Sequence, residues 1–392
     1  MKKLYRTLTV ITLLSIILSS FLFFPDISFA ENNPPQFFSN APKEIPVLNA
    51  RHAVVLDNTT GRILFEKDAY TKTAMASTTK LMTALIVAEN IDISAIVKVS
   101  AKAASTGGST IDLHQGEEIT VLDLLYGLML RSGNDAAVAL SEAVAGSVES
   151  FCTLMNCKAK ALGAYNTHFT SPHGLDSHEH YTTAYDLALI CRAASQNSIV
   201  NKIMGTKHYE TPRRFLINTN PFLGVTPEVT GGKTGFTNNA GRCIALTASK
   251  NNLDITIILI GCSDSKGRVS DGNKIINYIY SSYTMYNIVS GNTAIATLGN
   301  SKSRTGNTEI ITENDIKLPL TAFEHSNLNV RLNVFEGTYT LKGNVIPLIN
   351  TNNEIGAGEC VGSLIIELQD GTVLQTSSCF VTSSIIEKDF WY

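Results

Sequence analysis

The chain has 392 residues, and its 31 Lys and Arg residues against 34 Asp and Glu residues give a formal net charge of −3. It contains no basic block of the kind that binds nucleic acid, and only the amino end carries an apolar run near the length of a membrane span. A chain of this length predicts two domains.

The amino end carries an export pattern. Three basic residues lie within the first six positions, followed by the apolar run Leu8–Phe24 and by small residues that end at Ala30. This order is typical of a secretory signal peptide, here residues 1–30. A run of 17 apolar residues is also close to a membrane span, so an uncleaved anchor is the alternative. In both cases we expect export.

The first folded domain begins after a linker. Residues 31–46 are rich in Asn and Pro and show no hydrophobic periodicity, which predicts a linker. Two short apolar runs, Ala53–Asp57 and Gly61–Glu66, follow, with three polar residues between them. They predict a β-hairpin at the start of a domain that we place at residues 47–285.

The rest of this domain changes from helical to strand periodicity. Five segments of helical length come first: LMTALIVAEN, VLDLLYGLML, NDAAVALSEAVAG, VESFCTLMNCKAKALG and TTAYDLALICRAA. EVTGGKTG, RCIALTAS and DITIILIG then predict consecutive antiparallel strands, and GRVSDGNKIINYIYSSY predicts a closing helix. The order predicts an α+β fold, an antiparallel sheet with helices packed on it, plus a helical subdomain.

The last quarter of the chain is rich in β signals. LNVRLNVF, GTYTLKG, GSLIIELQDG and TVLQTSSCFV alternate in hydrophobicity, and Asp370-Gly371 is a strong hairpin turn. We predict a small all-β domain at residues 286–384 and a short tail at 385–392. The eight residues of the tail are too few for a membrane-binding amphipathic helix.

The seven cysteines do not define a disulfide framework. Their number is odd, and they lack the close spacing of a metal site. We expect most of them to be small buried apolar residues. Cys360 and Cys379 are a possible pair.

Ser77 and Lys80 stand three positions apart at the start of the first helical segment. At this spacing two side chains share a helix face, with Cβ atoms about 5–6 Å apart. Serine becomes a nucleophile when a base takes its proton. Lysine can be that base if burial, the helix N-terminus and a second cation lower its pKa. An isolated SxxK is also a common accident, in which the serine caps a helix and the lysine points to water.

Two further short motifs follow in order. Ser132 and Asn134 belong to an SGN sequence between two predicted helices, where a loop would present both side chains. Lys233, Thr234 and Gly235 end a predicted strand next to two more glycines, which opens the strand edge to a substrate backbone. SxxK, SxN and KTG in this order form the trio of penicillin-binding proteins and class A β-lactamases.

On these motifs the chain resembles the low-molecular-weight penicillin-binding proteins of the serine-type D-alanyl-D-alanine carboxypeptidase family. The resemblance runs from Ala53 to about Tyr283, through AVVLDNTTGRILFEKDA, STTKLMTA, GGSTIDLHQGEEITVLDLLYGLMLRSGNDAA, NTHFTSPHGLDSHEHYTTAYDLALI, GGKTGFTNNAGRC and SKGR. It implies a β-lactamase/transpeptidase-like domain followed by a small all-β domain. It also implies that the enzyme removes the terminal D-alanine from peptidoglycan stem pentapeptides and is acylated by β-lactams.

The resemblance implies a role for each motif residue. Ser77 would attack the penultimate D-Ala carbonyl, with Lys80 as general base and Ser132 as proton relay to the leaving D-alanine. Asn134 would hold the substrate amide and Lys80. Lys233 would raise the local potential, and Thr234 would bind the terminal carboxylate or the equivalent β-lactam group.

The KTG strand and a later arginine complete the implied site. The backbone N–H groups of Ser77 and Phe236 would form the oxyanion hole beside Gly235. Several family members have His where this chain has Phe236; a backbone donor survives that change. Arg268, in SKGR, is either a second carboxylate anchor or a solvated arginine at a helix start.

A metal site is the weaker interpretation of GLDSHEHY and the residue before it. His173, His178 and His180 lie close in sequence, but there is no HExxH, and positions 178 and 180 would face opposite ways on a helix. We predict a polar loop near the active-site cleft and neither metal nor cofactor.

Other functions fit parts of the pattern. A secreted β-lactamase is the closest competitor, and a D,D-endopeptidase has the same fold; the extra β domain favours the carboxypeptidase. A non-catalytic wall-binding scaffold would not be expected to retain all three motifs. We expect a monomer at the cell wall or the outer face of the cytoplasmic membrane, with peripheral association possible, that binds stem peptides and β-lactams but no nucleic acid.

Overall fold

The computed structural model describes residues 44–300, 303, 305–335, 337–341, 346–351 and 354–386. The predicted signal peptide, most of the predicted linker and most of the predicted tail lie outside the described residues.

The strands of the described chain are β1 (His52–Asp57), β2 (Ile63–Lys67), β3 (Ile96–Lys98), β4 (Glu118–Thr120), β5 (His208–Glu210), β6 (Phe215–Ile217), β7 (Val229–Thr237), β8 (Gly241–Lys250), β9 (Leu253–Cys262), β10 (Thr284–Val289), β11 (Ala296–Gly299), β12 (Thr308–Ile311), β13 (Ile316–Leu320), β14 (Leu328–Val334), β15 (Gly337–Leu341), β16 (Leu348–Asn350), β17 (Cys360–Leu368) and β18 (Val373–Val381). The helices are α1 (Lys80–Asn90), α2 (Ala101–Ala104), α3 (Val121–Leu130), α4 (Asn134–Ala145), α5 (Val148–Ala161), α6 (Ala184–Gln196), α7 (Ser198–Met204), α8 (Ser265–Ser282) and α9 (Ala322–Ser326).

The first sheet has five strands in the order β2-β1-β9-β8-β7, and all of its pairings are antiparallel. The predicted hairpin, the three predicted strands and the closing helix α8 are confirmed. The hairpin of β1 and β2 forms the edge of the sheet opposite to β7, because β1 pairs with β9. Strand β7, which carries the KTG motif, therefore lies at one edge.

Both faces of this sheet are buried, because side chains alternate between the faces of a strand. In β1, Val54 and Leu56 pack into the core shared with the helical subdomain. Ala53 and Val55 pack on the other face, against residues of α8 such as Ile275. Strands buried on both faces read as continuous apolar runs, which explains the sequence DITIILIG.

The helical subdomain contains the five predicted helices α1, α3, α4, α5 and α6. The short helices α2 and α7 and the strand pairs β3–β4 and β5–β6 were not predicted. Their strands have three residues each, too few for alternation to stand out from chance.

The C-terminal region is built mainly of strands, as predicted. Its larger sheet has the order β15-β14-β17-β18-β12-β11-β16. The hairpin turn predicted at Asp370-Gly371 joins β17 to β18, and Gly371 has φ +89°. Helix α9 was missed, although Thr321 and Glu324 form a capping box that the sequence TAFE contains.

Strand β10 crosses the boundary predicted at residue 285. Met285 packs against the core under α8, whereas Tyr286 packs against the C-terminal core. The two predicted regions are therefore joined by one continuous strand. The boundary itself stays a prediction.

All seven cysteines are free thiols. Cys360 and Cys379 lie on neighbouring strands, but the register places Cys379 opposite Gly362 and Cys360 opposite Phe380. The possible pairing of Cys360 with Cys379 is therefore not formed. Most of the cysteines are buried, as predicted.

Over the described residues, no single helix has the length and hydrophobicity needed to cross a membrane. Helices α4 and α5 reach that length only together, with a bend of 83° between them.

A buried ion pair connects the two regions. The Arg62 guanidinium donates to both carboxylate oxygens of Glu324, and both side chains are largely buried. Glu324 also accepts from the backbone N–H of Thr321 at 2.8 Å. One carboxylate thus caps α9 and binds Arg62, the residue just before β2.

We expect Glu324→Gln to lower the free energy of unfolding by about 2–4 kcal/mol, because it leaves the Arg62 charge buried without its partner. Urea unfolding would measure this loss. Adding Arg62→Met should recover part of it, because the unpaired charge is removed. If Glu324→Gln and the unchanged protein had equal free energies of unfolding, the Arg62–Glu324 pair would not stabilise the contact between the two regions.

Candidate active site

Ser77 lies in a single turn of 3₁₀ helix, Ala76–Thr79, which leads into α1. The interpretation of Ser77 as a helix cap is wrong, since no side-chain cap bond forms at either helix start. The residue before it, Ala76, has φ +49°, a left-handed conformation that costs free energy for a residue with a Cβ atom. Such strain concentrates at functional sites.

Lys80 does not point to water but is completely buried. Its Nζ lies 2.9 Å from Ser77 Oγ, 2.7 Å from Asn134 Oδ1 and 2.9 Å from the backbone oxygen of His173. Burial, and secondly the charge of Lys233, hold the Lys80 pKa well below its ordinary value of 10.5.

These three neighbours can serve either form of the amine: an ammonium donates to all three, whereas an uncharged amine donates to two and accepts from the Ser77 hydroxyl. Burial favours the uncharged form. A neutral amine has two N–H donors and one lone pair. The amide oxygen of Asn134 and the carbonyl of His173 can only accept, so they take the two N–H groups. The lone pair is then left for Ser77 Oγ, whose hydroxyl can donate. The geometry therefore provides a nucleophile with its base.

Backbone contacts hold Asn134 in the orientation that this arrangement needs. Its Nδ2 donates to the Gly107 carbonyl at 2.7 Å, so Oδ1 is the atom that faces Lys80. The loop before it is held by the Asp135 carboxylate, which accepts from the N–H groups of Ile111 and Leu113. One helix start thus positions both the amide and the loop that binds it.

Ser132 is a second strained residue, with φ +61°. Its Oγ is buried and, among the residues that the structure describes, has no hydrogen-bond partner. Buried polar groups are normally paired, so this hydroxyl is free to bond with a ligand.

The KTG motif lies on the edge strand β7, next to Ser77. Lys233 is buried and donates to the Thr234 carbonyl at 2.9 Å; burial, and then the charge of Arg268, lower its pKa to about 7. A Cβ at Gly235 would lie 3.1 Å from both the Ser77 amide nitrogen and Ala76 Cβ. Only glycine lets the strand approach this closely without displacing the turn.

Arg268 is not a solvated arginine, because only 8% of it is exposed. Its Nε has no partner among the described residues, and its guanidinium lowers the Lys233 pKa. Phe236, in contrast, is 50% exposed and lies under the guanidinium of Arg242, 4.0 Å from its ring centre. Cations thus collect along β7.

The loop that contains the three histidines lies beside the site. The His173 carbonyl binds Lys80, His178 has a fully exposed side chain, and His180 binds Thr79. The described residues contain no group of three His, Cys, Asp or Glu that could hold a metal.

Several contributing groups were missed from the sequence. They are the His173 carbonyl, Gly174, Gly107, Asp135, Thr79 and His180. Backbone oxygens have no residue signature, but the PHG sequence at 172–174 was a usable signal. Gly174 has φ +87°, and a Cβ there would lie 2.0 Å from the Ala76 carbonyl oxygen.

Comparison with known proteins agrees with this geometry. The sequence profile of the D-alanyl-D-alanine carboxypeptidase family matches residues 39–264. The D-alanyl-D-alanine carboxypeptidase DacF of Bacillus subtilis is 34% identical over 340 residues, which are 84% of this chain and 84% of that protein.

Two solved structures are similar over most of the chain. Penicillin-binding protein 5 of Haemophilus influenzae, at 24% identity, matches 88% of this chain and 100% of its own with a TM-score of 0.75, and indicates the fold. The D-alanyl-D-alanine carboxypeptidase DacD of Francisella tularensis, at 25% identity, matches 93% of this chain and 100% of its own with a TM-score of 0.69.

We expect the buried Lys80 to make stability depend on pH. Between the lowered pKa of the folded chain and 10.5, the unfolded chain binds more protons at Lys80 than the folded chain does. Stability therefore rises with pH in this window, by at most about 1.4 kcal/mol per unit. Lys80→Met removes this dependence. Urea unfolding at several pH values from neutral to pH 10 should therefore show the free energy of unfolding of the unchanged protein rising relative to that of Lys80→Met.

The exposed Lys202 is a matched control, because Lys202→Met removes a lysine charge at the surface. The stability of Lys202→Met should change with pH in parallel with that of the unchanged protein. Parallel curves for Lys80→Met and the unchanged protein would mean that Lys80 is charged in the folded state.

Proposed function

This chain belongs to the D-alanyl-D-alanine carboxypeptidase family of serine peptidases, and we propose that it removes the terminal D-alanine from peptidoglycan stem peptides through an acyl-enzyme on Ser77. The observation that carries this proposal is the buried Lys80 amine, 2.9 Å from Ser77 Oγ and within hydrogen-bond distance of Asn134 Oδ1 and the His173 carbonyl. Its uncharged form, which burial favours, would donate to these two acceptors and take the Ser77 proton on its lone pair.

Acylation would begin with transfer of the Ser77 proton to Lys80. The Ser77 oxygen bonds to the penultimate D-Ala carbonyl carbon, and the negative charge develops on the carbonyl oxygen. The N–H groups of Ser77 and Phe236 are its proposed donors, and the approach of β7 at Gly235 supports their placement. The C–N bond then breaks, and the proton passes from Lys80 through Ser132 to the departing D-alanine.

Deacylation would use the same groups. A water molecule attacks the ester carbon of the acyl-enzyme while a base of the site takes one of its protons. The ester C–O bond breaks, and Ser77 recovers its proton. The products are the shortened peptide and the free enzyme.

The cations along β7 support recognition of an anion. Lys233, Thr234 and Arg268 would bind the terminal carboxylate of the substrate, or the carboxylate of a β-lactam that takes its place. The unpartnered Nε of the buried Arg268 supports this role. A guanidinium matches a carboxylate with two parallel N–H groups.

A β-lactamase would need rapid deacylation, and a D,D-endopeptidase would cut a cross-link with the same groups. The relatives that are named D-alanyl-D-alanine carboxypeptidases favour carboxypeptidase activity over these two alternatives. We further propose that the chain acts outside the cytoplasm as a monomer, with its signal sequence at residues 1–30 and peripheral contact with the wall or membrane.

We expect residues 31–392 to release D-alanine from a pentapeptide ending in D-Ala-D-Ala and to gain the mass of one penicillin. Ser77→Ala should do neither, because no nucleophile remains. Time-resolved mass spectrometry and a D-alanine assay measure both results.

Ser94→Ala, at an exposed serine, should behave like the unchanged protein. Release of D-alanine by Ser77→Ala, or an adduct on another residue, would contradict the proposal. An adduct that forms and disappears within seconds would favour the β-lactamase.

A further inference from the structure

The peptide group between Ala76 and Ser77 is held at its carbonyl end. Its N–H belongs to Ser77 and is a proposed oxyanion donor. Its carbonyl oxygen, on Ala76, accepts a hydrogen bond from the hydroxyl of Thr79 at 2.8 Å. Rotation of this peptide would move the N–H and the nucleophile together, so the Thr79 bond bears directly on the reacting atoms.

A buried histidine extends this contact. His180 is 3% exposed, and its Nε2 lies 2.8 Å from Thr79 Oγ1. Its Nδ1 accepts from the backbone N–H of Thr170 at 3.1 Å, which assigns the proton to Nε2. Burial lowers the His180 pKa to about 4, so the ring is neutral around pH 7 and Nε2–H donates to Thr79.

The three bonds therefore run in one direction. Thr170 N–H donates to His180, His180 donates to Thr79, and Thr79 donates to the Ala76 carbonyl. Hydrogen bonds in such a chain polarise one another. A carbonyl that accepts a polarised hydroxyl withdraws electrons from its own amide, and that amide N–H becomes a better donor.

The space around the Ala76 carbonyl is closed as well. A Cβ at Gly174 would lie 2.0 Å from this oxygen and 2.5 Å from Thr79 Oγ1. On this side there is no room for a water molecule that could replace the threonine. The φ of +49° at Ala76 is thus held by the Thr79 bond within a tightly packed pocket.

We propose that Thr79 and His180 are positioning residues that fix and polarise the Ala76–Ser77 peptide, and so set the strength of the oxyanion hole. The proposal rests on the proposed function, because the peptide matters to catalysis only if Ser77 is acylated. Neither side chain touches the substrate; both act through the peptide.

The test uses Thr79→Val, which keeps the shape and removes the hydroxyl, and Thr79→Ser, which keeps the hydroxyl. Loss of a whole oxyanion donor costs a factor of about 100–1,000 in kcat. Weakening one should cost less, so we expect Thr79→Val to lower kcat for D-alanine release about tenfold, with KM nearly unchanged. Thr79→Ser should restore kcat.

An infrared spectrum of the penicillin acyl-enzyme separates positioning from general support of the fold. A weaker oxyanion donor raises the stretching frequency of the ester carbonyl, so Thr79→Val should shift this band upward and Thr79→Ser should not. His180→Leu should shift it in the same direction, and His180→Gln, which keeps a donor, should restore it. If Thr79→Val fails to fold, the comparison of His180→Leu with His180→Gln tests the positioning role.

An unshifted band in Thr79→Val and His180→Leu, with kcat unchanged, would overturn the positioning role and leave the proposed function intact. Absence of any adduct with the unchanged protein would overturn the proposed function and this proposal together.

Discussion

The candidate active site depends on one amine that has been removed from water. Lys80 is fully buried, and its Nζ has neighbours at hydrogen-bond distance from three separate parts of the chain. Burial disfavours the charged form of the amine and outweighs the charge of Asp135, which favours it. A neutral amine needs only two acceptors and one donor. The site supplies two acceptors, Asn134 Oδ1 and the His173 carbonyl, and one donor, the Ser77 hydroxyl. The other features of the site either hold these groups in place or use the amine that they surround.

The packing of the helical subdomain on the sheet produces this environment. The apolar run of α1 packs among the helices and one face of the sheet, so the first residue of the helix is drawn into the core together with Leu81 and Met82. The edge strand β7 then brings a second buried lysine, Lys233, whose charge lowers the Lys80 pKa further. The apolar residues therefore serve packing and acid–base chemistry at once.

Residue identity could be predicted where the chemistry depends on side chains. SxxK, SxN and KTG lie far apart in sequence, yet their order and their helix, loop and strand contexts predicted one site, and the structure brings Ser77, Lys80 and Asn134 into contact. Long periodic segments such as α1 and β9 were predicted for the same reason, since their pattern repeats often enough to be distinctive.

What escaped prediction depends on backbone atoms and on packing between distant segments. The His173 carbonyl that binds Lys80 lies 93 positions away and could be supplied by any residue type. The positive φ of Ala76 and Ser132 contradicts local preference and is imposed by neighbours, so no local rule predicts it. The Arg62–Glu324 pair similarly joins positions 262 residues apart.

The pH dependence of Ser77 acylation tests the central claim most directly. The rate constant for penicillin adduct formation would be measured in single turnovers from pH 5 to pH 11. If Lys80 takes the proton as a neutral amine, the rate rises and reaches its plateau well below pH 10.5. A rate that is still rising as the pH approaches 10.5 would show that Lys80 keeps an ordinary pKa, and would contradict the account.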